Sequence, residues 1–128
     1  MPITPLHTPD APEAIGPYSQ AMRYGNLIQT SGQIALDPAT MQMVGGGDIS
    51  AETRQVMKNL FAILKAAGTT PDQIIKTTIF LADMNDFAAV NKIYAEALGN
   101  HKPARSTIQA AGLPKGAKVE IEALAIIE

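Results

Sequence analysis

Residues 74–99 read IIKTTIFLADMNDFAAVNKIYAEALG, a β-branched run followed by an amphipathic one, and this stretch decides the fold class. Ile74, Ile75, Thr77, Thr78 and Ile79 are stiff at the first side-chain torsion and fit a pleated surface, so 74–81 reads as a strand. Asn85 or Asp86 then caps a helix over 87–98. Phe87, Val90, Tyr94 and Ala97 recur on one helical stripe, and Gly99 ends it.

Outward from there the same alternation repeats. Upstream, Ser50 reads as the N-cap of a helix over 51–67, with Glu52 in its first turn and Gly68 after its last. Val56, Leu60, Ile63, Leu64 and Ala67 form its apolar stripe, and Arg54, Lys58 and Lys65 face water. Residues 34–48 form a loop, since Asp37-Pro38 and Gly45-Gly46-Gly47 support no regular structure. Strands over 18–24 and 27–33 flank a hairpin turn at Gly25-Asn26. Five prolines make 2–17 an extended arm. Downstream, strands over 104–110 and 118–127 are joined through Leu113-Pro114-Lys115-Gly116. The order is β-β-α-β-α-β-β. Two helices cover one face of one sheet, which makes a single α+β two-layer domain over residues 1–128.

The other sheet face then matters. In the last strand Val119, Ile121, Ala123, Ala125 and Ile127 lie under the helices, and Glu120, Glu122, Leu124 and Ile126 point away from them. An uncovered face carrying Leu124 and Ile126 exposes an apolar patch on a monomer, so a closed oligomer is expected.

Composition removes several classes of chemistry. The chain has 128 residues, 46% hydrophobic and 17% charged, an ordinary globular balance. It has no cysteine, which excludes disulfides, thiol catalysis and thiolate metal sites. A net charge of −2 supplies no field for nucleic acid or an anionic membrane. Neither an apolar run of spanning length nor a signal-peptide pattern is found, so a cytoplasmic location and no membrane partner are expected. His7 and His101 stand outside any metal-ligand spacing and read as surface histidines. The triple glycine lacks the Lys-Ser/Thr of a phosphate loop, and Ser19 has no nucleophile elbow around it. Without metal, thiol or serine triad, and with no cofactor called for, the reaction catalysed must be an intrinsically easy one.

Arg105 and Thr107 share one face of the penultimate strand, and Glu120 lies on the uncovered face of the last. If those strands pair, a guanidinium and a carboxylate look out of the same sheet. Arginine suits a bidentate clamp on a substrate carboxylate. On periodicity alone the plainer account is a cross-strand ion pair on a solvated face. Tyr18 reads equally as a strand aromatic filling the core, and Asn91 as an amide satisfying backbone groups. Ser31 and Gly32 can simply relieve crowding in a strand.

A series of stretches changes the weighting. Ala14-Ile15-Gly16-Pro17-Tyr18-Ser19-Gln20, Thr30-Ser31-Gly32-Gln33-Ile34 and Lys76-Thr77-Thr78-Ile79-Phe80-Leu81 come first. Asp83 to Phe87 with Val90-Asn91, Pro103-Ala104-Arg105-Ser106, Leu113-Pro114-Lys115 and Val119-Glu120-Ile121-Glu122-Ala123 follow. In order and spacing these resemble the signature stretches of the RidA (YjgF-type) family. The resemblance implies a chorismate-mutase-like fold, a homotrimer with a barrel-like centre, and a site in each intersubunit cleft. It implies that Arg105 binds the substrate carboxylate and that Glu120 positions or activates the hydrolytic water. Tyr18, Ser31, Gly32 and Asn91 match pocket-lining residues. Thr107 stands where many members have cysteine, a position whose role main-chain atoms largely carry, and Gly112 replaces a bulkier residue.

The activity so implied is hydrolysis of 2-imino acids and their enamine tautomers, such as 2-iminobutanoate and 2-iminopropanoate, to 2-oxo acids and ammonia. Such imines hydrolyse slowly in water unaided, so positioning and modest proton transfer suffice. Three other readings stay open. One is a non-catalytic trimer that binds small 2-oxo acids as a metabolic regulator, which needs Arg105 but not Glu120. Another is deamination of an aminomuconate-like substrate, as in a related branch of the family. The last is a ribonuclease, which the acidic balance disfavours.

Overall fold

The computed structural model describes residues 2–128. Strands β1 (Ile3–Leu6), β2 (Ala21–Tyr24) and β3 (Leu27–Thr30) come first, then helix α1 (Ile49–Ala67) and strand β4 (Ile74–Leu81). Helix α2 (Phe87–Leu98) and strands β5 (Ala104–Gln109) and β6 (Val119–Ile126) follow. The strands make one sheet in the order β1-β2-β3-β6-β4-β5. The α+β class expected from the sequence is the one observed.

Each helix is a crossover between parallel strands. β4 and β5 pair in parallel, and β3 and β4 are both antiparallel to β6, hence parallel to each other with β6 inserted between them. The two crossovers advance the same way across the sheet, so the right-handed rule places α1 and α2 on the same face. Beneath them lie Ile28 of β3, Thr77, Ile79 and Leu81 of β4, and Val119, Ile121, Ala123 and Ala125 of β6, all buried. The expected α1 stripe, Val56, Leu60, Ile63, Leu64 and Ala67, is buried against them; of the expected α2 stripe Val90 and Tyr94 are buried and Phe87 and Ala97 half-buried, with Ile93 and Leu98 completing the seal.

Several expectations need correction. The arm contributes a sixth strand: β1 pairs antiparallel with β2, Ile3 opposite Tyr24 and Pro5 opposite Met22. Proline cannot donate to a ladder but is tolerated at a sheet edge, where β1 lies. The second strand starts at Ala21 rather than Tyr18. The third stops at Thr30, and Gln33 rejoins the sheet through an isolated bridge to Ile121. Helix α1 is capped by Asp48, whose carboxylate accepts from the Ser50 amide at 3.0 Å; Ser50 lies inside the helix. Before α2 a 3₁₀ turn, Met84–Asp86, intervenes, and its cap is Asp83, which accepts from the Asn85 amide at 2.9 Å. Asp86 holds the α2 N-cap position without a side-chain bond, so Asn85 caps nothing. His101 is half-buried, its Nε2 2.7 Å from the Ile74 carbonyl, and is not a plain surface residue.

The correction that matters for function concerns the last two strands. β5 and β6 do not pair; β4 lies between them. The chain crosses from the sheet edge to its centre through the 3₁₀ turn Pro114–Gly116. The facing of β5 is therefore set by β4, where Arg105 stands beside Thr77 and Thr107 beside Ile79, both helix-side residues.

Candidate active site in two halves

Glu120 projects from the open face of β6, in register with Phe80 of β4. Beside it Ser31 and Gly32 lie between the end of β3 and the bridge at Gln33. Their path is held by two bonds: the Ser31 amide donates to the Gln20 carbonyl at 2.8 Å and the Ser31 hydroxyl to the Ser19 carbonyl at 2.5 Å. Gly32 is required here by space. A Cβ built on it would lie 2.2 Å from Glu120 Oε2 and 2.8 Å from its carboxyl carbon. The carboxylate thus packs on bare backbone.

A cavity of about 350 Å³ opens in front of it, lined by Glu120, Gly32, Ser31, Tyr18, Ile34 and Pro114 among others. Tyr18 stands in its wall, and its hydroxyl accepts from the Ile15 amide at 3.2 Å, which leaves its own proton free to donate. Pro12 and Glu13 of the arm also line the cavity, so the arm forms part of the wall. Burial raises the Glu120 pKa above the ordinary carboxylate value, and the neighbouring Glu122 charge raises it further. A carboxylate so perturbed is a stronger base than a free one.

Two buried amides that the sequence reading passed over hold these walls. The Gln20 side chain accepts from the Thr8 amide at 2.7 Å and donates to the Thr8, Ala11 and Pro12 carbonyls at 3.0, 3.2 and 2.8 Å. Asn59 of α1 donates to the carbonyls of Ile34 and Leu36 at 3.1 and 2.8 Å. The sequence signal for Asn59 is a polar residue set within the apolar stripe of α1, between Val56 and Leu60. Gln20 carries no local signal beyond the stretch it closes.

Arg105 lies elsewhere. Its Nη1 donates to Asn91 Oδ1 at 2.7 Å, and its guanidinium carbon sits 5.3 Å from the Tyr94 ring centre and 5.5 Å from that of Phe87. Tyr94 and Thr77 share a buried hydroxyl–hydroxyl bond of 2.6 Å, which ties that ring to β4. Burial raises the Tyr94 pKa, against the bond from Thr77 and the Arg105 charge. Thr107, two residues along the same face of β5, has a buried hydroxyl without a hydrogen-bond partner among the described residues. The sequence-derived residues thus fall into two groups. Glu120, Tyr18, Ser31 and Gly32 gather at the open face near the middle of the sheet, while Arg105, Asn91 and Thr107 gather on the helix side at the β5 edge. The expectation that Arg105 and Glu120 share one face of one sheet is overturned, because the parallel β4–β5 pairing fixes the parity of Arg105.

The chain is similar to known proteins along nearly its whole length. The endoribonuclease L-PSP family model matches residues 8–127. A RutC family protein of Pyrococcus horikoshii is 50% identical over 123 residues, 96% of this chain and 97% of that protein. The mouse 2-iminobutanoate/2-iminopropanoate deaminase is 50% identical over 121 residues, 94% of this chain and 89% of that protein. Among solved structures, E. coli TdcF with bound serine superimposes with a TM-score of 0.92 at 41% identity, covering 98% of this chain and 99% of that one.

Proposed function

The chain belongs to the endoribonuclease L-PSP (YjgF/RidA) family, and from that membership we propose that it hydrolyses small 2-imino acids to 2-oxo acids and ammonia. The observation that carries the reading is a complementary pair of half-sites. One offers a cation with no carboxylate against it among the described residues, the other a carboxylate made more basic by burial beside a cavity. An imino acid needs both: an anchor for its carboxylate and a base for the attacking water.

The two halves lie on opposite faces of one sheet, so a substrate the size of 2-iminobutanoate meets both only where two copies join. The open face favours such an assembly. Ile3, Tyr24, Leu27 and Ile108 are exposed there, with Leu124 and Ile126 between them. We take the assembly to be a homotrimer, in which each cleft receives Arg105 from one protomer and Glu120 from the next, in the cytoplasm.

In that cleft Arg105 forks the substrate carboxylate. Glu120 takes a proton from water as its oxygen adds to the C=N carbon and returns that proton to the imine nitrogen, which main-chain atoms at Thr107 hold. In the resulting carbinolamine Glu120 carries the hydroxyl proton to the amine, the C–N bond breaks as the carbonyl forms, and the 2-oxo acid and ammonia leave with Glu120 again ionised. Tyr18, Ser31, Gly32 and Asn91 complete the lining. The family description names a ribonuclease, but at a net charge of −2 the chain has no overall field to hold RNA.

The test is release of ammonia and 2-oxo acid from imines generated in situ by an amino-acid oxidase, with and without the protein. Acceleration by wild type that is lost in Arg105→Ala, with kcat lowered in Glu120→Ala, is the expected result. Binding of 2-oxobutanoate without acceleration would identify a binding protein instead.

A further inference from the structure

Residues 87, 91 and 94 follow one another at helical spacings of four and three, so their side chains form one stripe on α2 toward the β5 edge. All three touch Arg105, and none of them is charged. Arginine only donates, so the amide atom facing it is the Asn91 carbonyl oxygen. Among the described residues the one acid–base contact within ion-pair distance is His7–Glu13, so no carboxylate neutralises Arg105.

We infer that Asn91, Phe87 and Tyr94 form a charge-sparing cradle that positions the Arg105 guanidinium for an anionic ligand. The inference rests on the reading of Arg105 as a carboxylate clamp. A free arginine on an exposed strand loses much of its rotamer freedom when it is fixed. Holding it in advance removes part of that loss from the binding step. An aspartate or glutamate would hold it more tightly. It would also occupy the fork and cancel the charge that recruits the ligand. A neutral amide takes one N–H of Nη1, the two ring faces attract the cation without occupying a donor, and the other N–H groups stay free. The Tyr94–Thr77 bond fixes the nearer ring, so the cradle is anchored in the core. Asn91, Phe87 and Tyr94 are thus positioning residues that act through Arg105.

Asn91→Asp separates this role from simple fastening of β5 to α2. The side chain keeps its size and its bond to Arg105, and the fastening becomes stronger. The full-length protein is titrated with 2-oxobutanoate by calorimetry, melting temperature is recorded, and KM and kcat are measured for imine hydrolysis. Asn91→Asp is expected to keep or raise the melting temperature and to weaken 2-oxobutanoate binding about tenfold, with KM rising by more than kcat falls. Tyr94→Leu is expected to weaken binding about fivefold, and Tyr94→Phe, which keeps the ring, to restore most of it. Wild-type affinity in Asn91→Asp, or equal losses in Tyr94→Phe and Tyr94→Leu, would overturn the cradle while leaving the clamp intact. A wild-type protein that neither binds 2-oxobutanoate nor hydrolyses imines would instead remove the functional reading itself, and the cradle with it.

Discussion

The contact between Gly32 and Glu120 is where a single atom decides the proposed chemistry. A methyl at position 32 would overlap the carboxylate itself, and a carboxylate can swing aside more cheaply than backbone can move. Gly32→Ala is therefore expected to fold normally, with the melting temperature within a few degrees of wild type. Its kcat for imine hydrolysis should fall by about 10²-fold, the cost of misplacing a reacting group by about 1 Å. Unchanged kcat would show that Glu120 does not act from this position. The same carboxylate makes a pH-dependent contribution to stability. Its folded pKa lies above the unfolded value, so between the two the folded chain holds the extra proton and stability falls as pH rises. Glu120→Gln removes that penalty. The variant should melt higher than wild type at pH 8, and the difference should close below about pH 4, where the carboxyl is protonated in both states. Thermal melts across that range measure it; a variant less stable than wild type at pH 8 would mean the carboxylate is held by bonds stronger than its desolvation.

At the level of elements, the caps and the crossovers show what a sequence carries and what it does not. Asp48, not Ser50, accepts the first-turn amide of α1, so Asp48→Ala should cost about 1 kcal/mol in urea unfolding and Ser50→Ala only a few tenths. A larger loss in Ser50→Ala than in Asp48→Ala would return the cap to Ser50. Both residues are good caps two positions apart, and what distinguishes them is the extended backbone at Asp48 together with the bond its carboxylate accepts from the Ser50 amide. The apolar stripes of α1 and α2 and the alternation along 119–127 were legible because burial under two helices imposes a period on each. Strand ends were less so: residues 18–20 and 31–33 continue the hairpin strands in sequence, but Gln20 turns inward to bind the arm, and Gly32 leaves the ladder to admit Glu120. The edge strand β1 was hidden by Pro5 within it and the other prolines of the arm. Strand pairing was the largest miss, although β4–α2–β5 is a β-α-β unit and such units place their strands in parallel. A reading that paired β5 with its sequence neighbour β6 therefore assigned Arg105 to the wrong face. The residues nominated for the site were local motifs; their division into two groups is a property of topology, which no local motif carries.

At the scale of the whole molecule, the division of the groups makes a prediction that separates one-chain from two-chain sites. Arg105 and Glu120 each stand with their own supporting residues, on opposite faces of a sheet that no side chain crosses. If each cleft takes its arginine from one protomer and its carboxylate from another, two inactive variants can repair each other. Arg105→Ala contributes an intact Glu120, and Glu120→Ala an intact Arg105. Co-refolded in equal amounts, half of the clefts draw an intact arginine and half an intact carboxylate, independently, so about a quarter hold both. The mixture should recover about a quarter of wild-type imine hydrolysis per chain, whereas each variant refolded alone recovers little. The recovery should need assembly: Leu124→Glu, which places a charge amid the apolar open face, should lower the oligomer mass in light scattering and abolish complementation. A mixture no more active than its parents, with mixed oligomers demonstrated by mass, would mean that one chain supplies both groups, and the open face would then need another explanation.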